Sequence, residues 1–164
     1  MKRILPILLI IVFFIGCSSA ADTLYRHPSF TAELPAPFEP VKNANITCFA
    51  PYGDPLLSSS ITFYTTELNW YFDDFTEQEY RDALTALTRY ETVTLNKFES
   101  VHVDGYPAKR ISCNVTIDQG VHDLVIYAIN ADRIYFFTLL NREGDGYIGA
   151  FDNMMKTIRL ESAS

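Results

Sequence analysis

Basic side chains are few. The 164 residues hold 13 Lys and Arg against 20 Asp and Glu, a formal net charge of −7. A nucleic-acid partner needs Lys/Arg clusters to meet its phosphates, so DNA and RNA are excluded. Cysteine is scarcer still, with only Cys17, Cys48 and Cys113 and no C-x-x-C spacing. That excludes the common zinc ribbons and dithiol redox sites. There is one tryptophan, Trp70, and three histidines, His27, His102 and His122. The chain contains no G-x-S-x-G elbow, H-E-x-x-H pair, phosphate-binding G-x-x-x-x-G-K-[ST] loop or G-x-G-x-x-G turn. A Ser/His/Asp triad built from distant positions leaves no local signature, and none raises its weight here. Internal repeats and low-complexity segments are also missing. No apolar run reaches the ~20 residues that a membrane-spanning helix needs.

The apolar run that does occur is short and placed at the start. Lys2 and Arg3 precede residues 4–15, which are uncharged and almost wholly apolar, and Gly16-Cys17 follows. A basic start, an apolar stretch of about 7–15 residues and a small residue before the cut make a secretory signal. With the cysteine placed after the small residue, the segment resembles a bacterial lipoprotein signal, although Phe14 stands where such signals usually carry an aliphatic residue. The resemblance implies a diacylglycerol on Cys17, and hence palmitate-type acylation and stable anchoring by more than one chain. Ser18 rather than Asp follows the cysteine, which resembles signals sorted to an outer membrane where one exists. The expected location is therefore the cell membrane or outer membrane, on the extracytoplasmic face. Removing the leader takes two of the 13 basic residues and no acid, so the net charge becomes −9. An acidic body gains nothing from anionic lipid, so the acyl chains must hold it.

The expected organisation is a signal peptide at 1–16, a lipidated Cys17 with a polar tether to 27, and a single domain at 28–164. Residues 29–34 alternate, with Phe30, Ala32 and Leu34 on one face, as in a half-buried strand. Pro35, Pro37 and Pro40 then break the chain. Residues 46–50 and 60–66 read as strands, separated by a turn at Pro51-Tyr52-Gly53-Asp54-Pro55. Thr76-Glu77-Gln78-Glu79 is a capping box, and the helix it opens is expected to run to about Tyr90. Four strands come next, at 98–103, 108–117, 124–129 and 134–140, with turns at Asp104-Gly105 and Asp118-Gln119-Gly120. The last two are apolar on both faces and so must be central and covered on both sides. Tyr147, Phe151, Met154, Met155 and Ile158 stand at helical spacing and supply one cover. The fold class is α+β: an antiparallel sheet with helices packed on it, an α/β/α sandwich.

Three segments carry a family likeness. They are Phe30-Thr31-Ala32-Glu33-Leu34-Pro35, Asp104-Gly105-Tyr106-Pro107-Ala108-Lys109-Arg110 and the closing Thr157-Ile158-Arg159-Leu160. With the doubly apolar strand pair between them, the chain resembles the Mog1/PsbP-like group, including the DcrB-like bacterial lipoproteins. The resemblance implies a binding or accessory protein. One member of the group binds a small GTPase and another is an extrinsic subunit of photosystem II, and an exported lipoprotein suits neither role directly. The matching positions are structural, so no functional residue carries over.

Candidate residues come instead from the sequence. Trp70, Tyr71, Phe72 and Phe75 form an aromatic cluster of the kind that supplies binding hot spots or pocket walls, and Tyr52 and Tyr106 in neighbouring turns extend it. Asn141, Glu143, Asp145 and Asp152, with Gly146, partly mimic a calcium loop. The competing reading is a Gly-rich strand-to-helix turn with Asp145 as N-cap. Cys48 and Cys113 sit at inward strand positions and form either a bridge, which export permits, or two buried thiols. His27 falls in the tether, and His102 and His122 in strands, where they read as polar-face side chains rather than a two-histidine metal site. No cofactor is implied. The function expected is a non-enzymatic lipoprotein that binds an envelope protein, with small-ligand or cation binding as the alternative and an envelope hydrolase behind it.

Overall fold

In the computed structural model, residues 22–42, 44–54, 59–67, 76–85, 92–142 and 144–161 are described. Residues 1–21, and with them the signal peptide and Cys17, lie outside that set, as do Trp70, Tyr71, Phe72, Phe75 and Glu143.

Strand alternation decides the architecture. β1 (Thr23–His27) and β2 (Phe30–Leu34) pair antiparallel, and β10 (Arg159–Leu160) adds to the other edge of β2. The main sheet contains β3 (Phe38–Pro40), β4 (Thr47–Pro51), β5 (Ser60–Thr66), β6 (Thr92–Val103), β7 (Tyr106–Ile117), β8 (Gly120–Asn130) and β9 (Ile134–Asn141). Its order is β3-β4-β5-β9-β8-β7-β6, and every pairing is antiparallel. β8 and β9 lie inside the sheet, as their doubly apolar sequences require, and Leu124 through Ile129 are all buried. Two-residue turns close the hairpins on either side of β7. Asp104-Gly105 and Asp118-Gln119 all have positive φ, the backbone that a tight hairpin with right-handed strand twist demands.

Each sheet face has its own cover. On one face α2 (Ile148–Thr157) and the β1-β2-β10 sheet press Phe30, Leu34, Phe151 and Met154 onto Phe63, Phe137 and Leu139. Rings interlock there: Phe30 meets Phe63 at 4.6 Å and, edge-on, Phe137 at 5.0 Å. Burying one such ring is worth about 1.5–3 kcal/mol. The opposite face gathers Ile111, Cys113, Val115, Leu124 and Ile126 around Tyr80 of α1 (Glu77–Thr85). The capping box forms in both directions: Thr76 N–H and Oγ1 donate to Glu79 Oε2 at 2.7 and 3.0 Å, and Glu79 N–H donates to Thr76 Oγ1 at 3.3 Å.

Two expectations change, and one open alternative is decided. Thr23–His27, assigned to the tether, is strand β1, with Tyr25 edge-on against Phe49 at 4.8 Å. β6 begins at Thr92 rather than near Phe98, with a bulge between Leu95 and Lys97. Cys48 and Cys113 are free thiols and cannot bridge. They share a sheet face, but Cys48 is on β4 and Cys113 on β7, with β5, β9 and β8 between them. Strands stand about 4.8 Å apart, and a disulfide tolerates at most about 7 Å between Cα atoms.

Candidate functional site

α2 crosses only part of its sheet face. Beyond it, among the described residues, Lys97, Glu99 and Val101 of β6 and Arg110 of β7 stay at least partly exposed, and a groove of about 480 Å³ runs between the helix and the sheet's last strand. Lys97, Glu99 and Val101 of β6 form one side, Arg110 and Tyr127 the floor, and Met155 and Lys156 of α2 the other side. Strand pairing sets the floor: Arg110 lies opposite Glu99 on one side and Tyr127 on the other, and cross-strand partners point to the same face. Asp152 reaches down from α2 to complete a polar cluster. Arg110 Nε donates to Asp152 Oδ1 at 3.0 Å and Nη2 to Oδ2 at 2.9 Å, a two-pronged pair. Tyr127 donates its hydroxyl to Asp152 Oδ1 at 2.8 Å, and Arg110 Nη1 reaches Glu99 Oε2 at 3.4 Å. The bond to Asp152 holds the Arg110 guanidinium still more firmly protonated. Burial first, then the same carboxylate, pushes the Tyr127 phenol well above its usual range. The cluster is a closely bonded set of one guanidinium, one phenol and two carboxylates. Its rim carries Lys97, paired with Glu99 at 2.8 Å, and Lys156, bonded to Asn153.

A second recess, of about 590 Å³, opens where α2 begins, between Pro35, Pro37, Tyr52, Tyr147, Ala150 and Asn153. Tyr52 and Gly53 occupy the two central positions of a turn with φ of 57° and 72°. Asp54 N–H closes it onto Pro51 O at 3.2 Å, and Tyr52 N–H ties it to Pro37 O at 3.0 Å. Positive φ costs a non-glycine residue roughly 1–2 kcal/mol, yet Tyr52 projects its ring into solvent, 81% exposed. Tyr147 packs edge-on against Phe38 at 5.0 Å, and burial, followed by the nearby charges of Asp145 and Tyr52, raises its phenol pKa.

The structure separates residues that the sequence placed together. Tyr52 stands at the end of the sheet where β9 finishes. Tyr106 begins β7 at the other end, close enough to Tyr135 to add to the rise of its phenol pKa. They do not extend one surface, and the aromatic cluster from Trp70 to Phe75 lies outside the described residues. Of the calcium-loop residues, Glu143 lies outside the described set, and Asn141, Asp145 and Asp152 bond to different partners. Asn141 Oδ1 accepts from Tyr147 N–H at 2.9 Å, while its Nδ2 faces Asp123 Oδ2 at 3.3 Å. Asp145 accepts from Ser59 Oγ at 2.7 Å and Ser59 N–H at 3.2 Å, and Asp152 is held by Arg110 and Tyr127. The carboxylates of Asp145 and Asp152 are aimed at different partners. Among the described residues no three His, Cys, Asp or Glu side chains gather to hold a metal. Nor does Asp145 cap the helix: the N-cap is Tyr147, without a side-chain bond. His102 and His122 lie opposite Pro107 and Val115, toward opposite ends of β7, and make no shared site. His27 is part of the domain, stacked on Phe30 at 5.0 Å.

Sequence reasoning missed the Arg110–Asp152–Tyr127 cluster. Two weak signals were present: Arg110 puts a charge on the β7 face that Ala108 shares with Ser112 and Asn114, and Tyr127 puts a hydroxyl in the buried run of residues 124–129.

No family model matches the chain, and no curated protein matches it in sequence. Solved structures do. The solution structure of cyanobacterial PsbP (CyanoP) from Synechocystis sp. PCC 6803 aligns over 89% of this chain and 96% of its own, with a TM-score of 0.60 at 16% identity. LpqN, described as involved in cell envelope biogenesis of Mycobacterium tuberculosis, aligns over 85% of this chain and 90% of its own, with a TM-score of 0.55 at 11% identity. Protein PA94 of Pseudomonas aeruginosa aligns over 87% and 99%, with a TM-score of 0.52 at 15% identity. The α+β, PsbP-like fold expected from the sequence is the one observed. No helix among the described residues is long and apolar enough to cross a membrane.

Proposed function

We propose that the protein is a lipid-anchored accessory protein of the cell envelope, whose domain binds a protein partner on the extracytoplasmic side without catalysing a reaction. The observation that carries this reading is the Lys2-Arg3 start, apolar run and Cys17, set directly before a folded domain. The shared fold with LpqN, a protein of envelope biogenesis, supports the compartment. The groove beside β6 supports the mode of action. Its floor is an engaged Arg–carboxylate cluster, and its rim carries the solvent-facing Lys97 and Lys156 beside β6, the end strand of the sheet among the described residues. An extended partner segment that carries a carboxylate fits such a rim.

Two measurements test the reading. Cys17→Ser protein is expected to leave the membrane fraction with its fold intact; if it stays membrane-bound after leader cleavage, the anchor assignment fails. A photocrosslinking residue at Lys97 or Lys156 is expected to capture one discrete envelope protein, and one at Glu77 on the far face is not. Equal capture from all three positions, or none from the groove, would remove the groove from the account.

A further inference from the structure

We infer that the end of the domain carrying Tyr52 rests on the bilayer, so that the protein is held in one orientation by its acyl chains and by an interfacial aromatic contact together. The inference rests on the lipid-anchored reading and adds a surface to it. Its first ground is the length of chain left over. Because Thr23–His27 form β1, the domain begins at Asp22, and only residues 18–21 separate it from Cys17. Fully extended, five Cα steps reach at most about 18 Å. A link that short keeps the chain's entry point, and whatever surrounds it, close to the headgroups.

The second ground is what surrounds that point. Asp22 lines the same recess as Pro35, Pro37, Tyr52 and Tyr147. Of the six exposed large apolar side chains among the described residues, three lie toward this end: Leu24 at 55%, Tyr52 at 81% and Val121 at 53%. Leu24 is the second residue of β1, Tyr52 tips the turn after β4, and Val121 comes just after the β7–β8 turn. The Tyr52 turn is braced from below by its N–H bond to Pro37 O. Tyrosine suits the membrane interface, since its ring is apolar and its hydroxyl stays wet. A contact that is weak by itself suffices here, because the anchor makes it intramolecular.

Charge selects the lipid. Asp22, Asp54, Asp118 and Asp145 lie toward the same end with Arg142 against them, a net acidic surface that fits zwitterionic headgroups and repels anionic ones. In this orientation Tyr106 and the Asp132–Arg133 turn, at the other end of the strands, point away from the membrane.

The test uses the full-length lipidated protein in phosphatidylcholine vesicles, with and without a brominated-chain phosphatidylcholine that quenches nearby tryptophan. In a Trp70→Phe background each reporter is the only tryptophan: Tyr52→Trp, Leu24→Trp as a second probe of the same end, and Tyr106→Trp at the far end. Flotation with the vesicles is scored first. The expected result is loss of emission at positions 52 and 24 on adding brominated lipid, with position 106 unchanged. Protein that floats while positions 52 and 24 stay unquenched, or while all three are quenched alike, overturns the orientation and leaves the anchor standing. Protein that fails to float overturns the anchor and the orientation together.

Discussion

Arg110 and Asp152 meet through two nearly parallel hydrogen bonds, Nε to Oδ1 at 3.0 Å and Nη2 to Oδ2 at 2.9 Å, across 42 positions of sequence. The pair ties α2 to the floor of the sheet, and Arg110 is mostly buried, its side chain 15% exposed. Removing one partner leaves the other desolvated, which costs more than the pair contributes when intact. Asp152→Ala is expected to lower unfolding stability by about 2 kcal/mol, and Tyr127→Phe by about 1.5 kcal/mol, the lower end of the range for one hydrogen bond to a charged group. Urea midpoints measure both. A loss under about 0.5 kcal/mol for Asp152→Ala, within the range of ordinary surface substitutions, would mean that the fork is solvent-screened and does not pin the helix.

Occupying Asp152 in this way has a consequence for calcium. Its carboxylate faces the sheet, and Asp145 faces Ser59, so neither is turned toward a common point. A ligand that binds only the native state stabilises it by RT ln(1 + L/Kd), L being its free concentration, and so raises the melting temperature once that concentration exceeds its dissociation constant. Millimolar calcium is accordingly expected to leave the melting temperature where it is. A clear rise that a chelator reverses would show that the loop around Gly144 rearranges to bind the ion.

Much of the fold is legible in the chain, and where it is not, the reason is local. The alternation of Phe30, Ala32 and Leu34, the doubly apolar β8 and β9, the Thr76–Glu79 capping box and the Phe151–Met154–Met155 stripe all read correctly because each is a pattern within one element. β1 escapes notice because its apolar residues, Leu24 and Tyr25, are adjacent. They point to opposite sides, and only Tyr25 packs inward. The start of β6 escapes because the bulge near Asn96 shifts its register, so Phe98 joins the face of Val93 and Leu95 out of step with their alternation. The groove is illegible for a different reason. Its fork joins β7 to α2, and Tyr127 enters from β8, so no window of sequence contains it. The bridging of Cys48 and Cys113 turned on strand order, which parity along a strand does not specify.

Ser59 is a second place where distant elements are tied. It is fully buried and donates its hydroxyl to Asp145 at 2.7 Å while accepting from Arg142 N–H at 2.8 Å. One side chain thus links the start of β5 to the turn that launches α2. Ser59→Ala removes both bonds and leaves the Asp145 carboxylate with one fewer donor. The expected cost is about 1–3 kcal/mol, together with faster amide exchange at Arg142. Unchanged exchange there would show that the turn holds without the serine.

His27 supplies the pH dependence. Burial lowers its pKa below the ordinary value of 6.5. The geometry explains which form is kept. Ser29 N–H donates to Nδ1 at 3.1 Å, so Nδ1 must stay unprotonated, and Nε2 faces Thr47 Oγ1 at 3.4 Å. Protonation would break the Ser29 bond and place a charge between Phe30 and Phe63. In the unfolded chain the imidazole takes its proton near pH 6.5, and in the folded chain only at lower pH. Between those values the unfolded state binds more protons, so stability rises with pH. His27 therefore contributes its full stability above about pH 6.5 and loses it progressively as pH falls toward the folded value. Stability measured from about pH 7.5 to about pH 5 should decline for the native chain and decline less for His27→Gln. An imidazole titration by NMR should place the folded pKa below 6.5. Superimposable pH profiles for the two proteins would remove His27 from the account and shift the acid sensitivity of the domain onto its carboxylates.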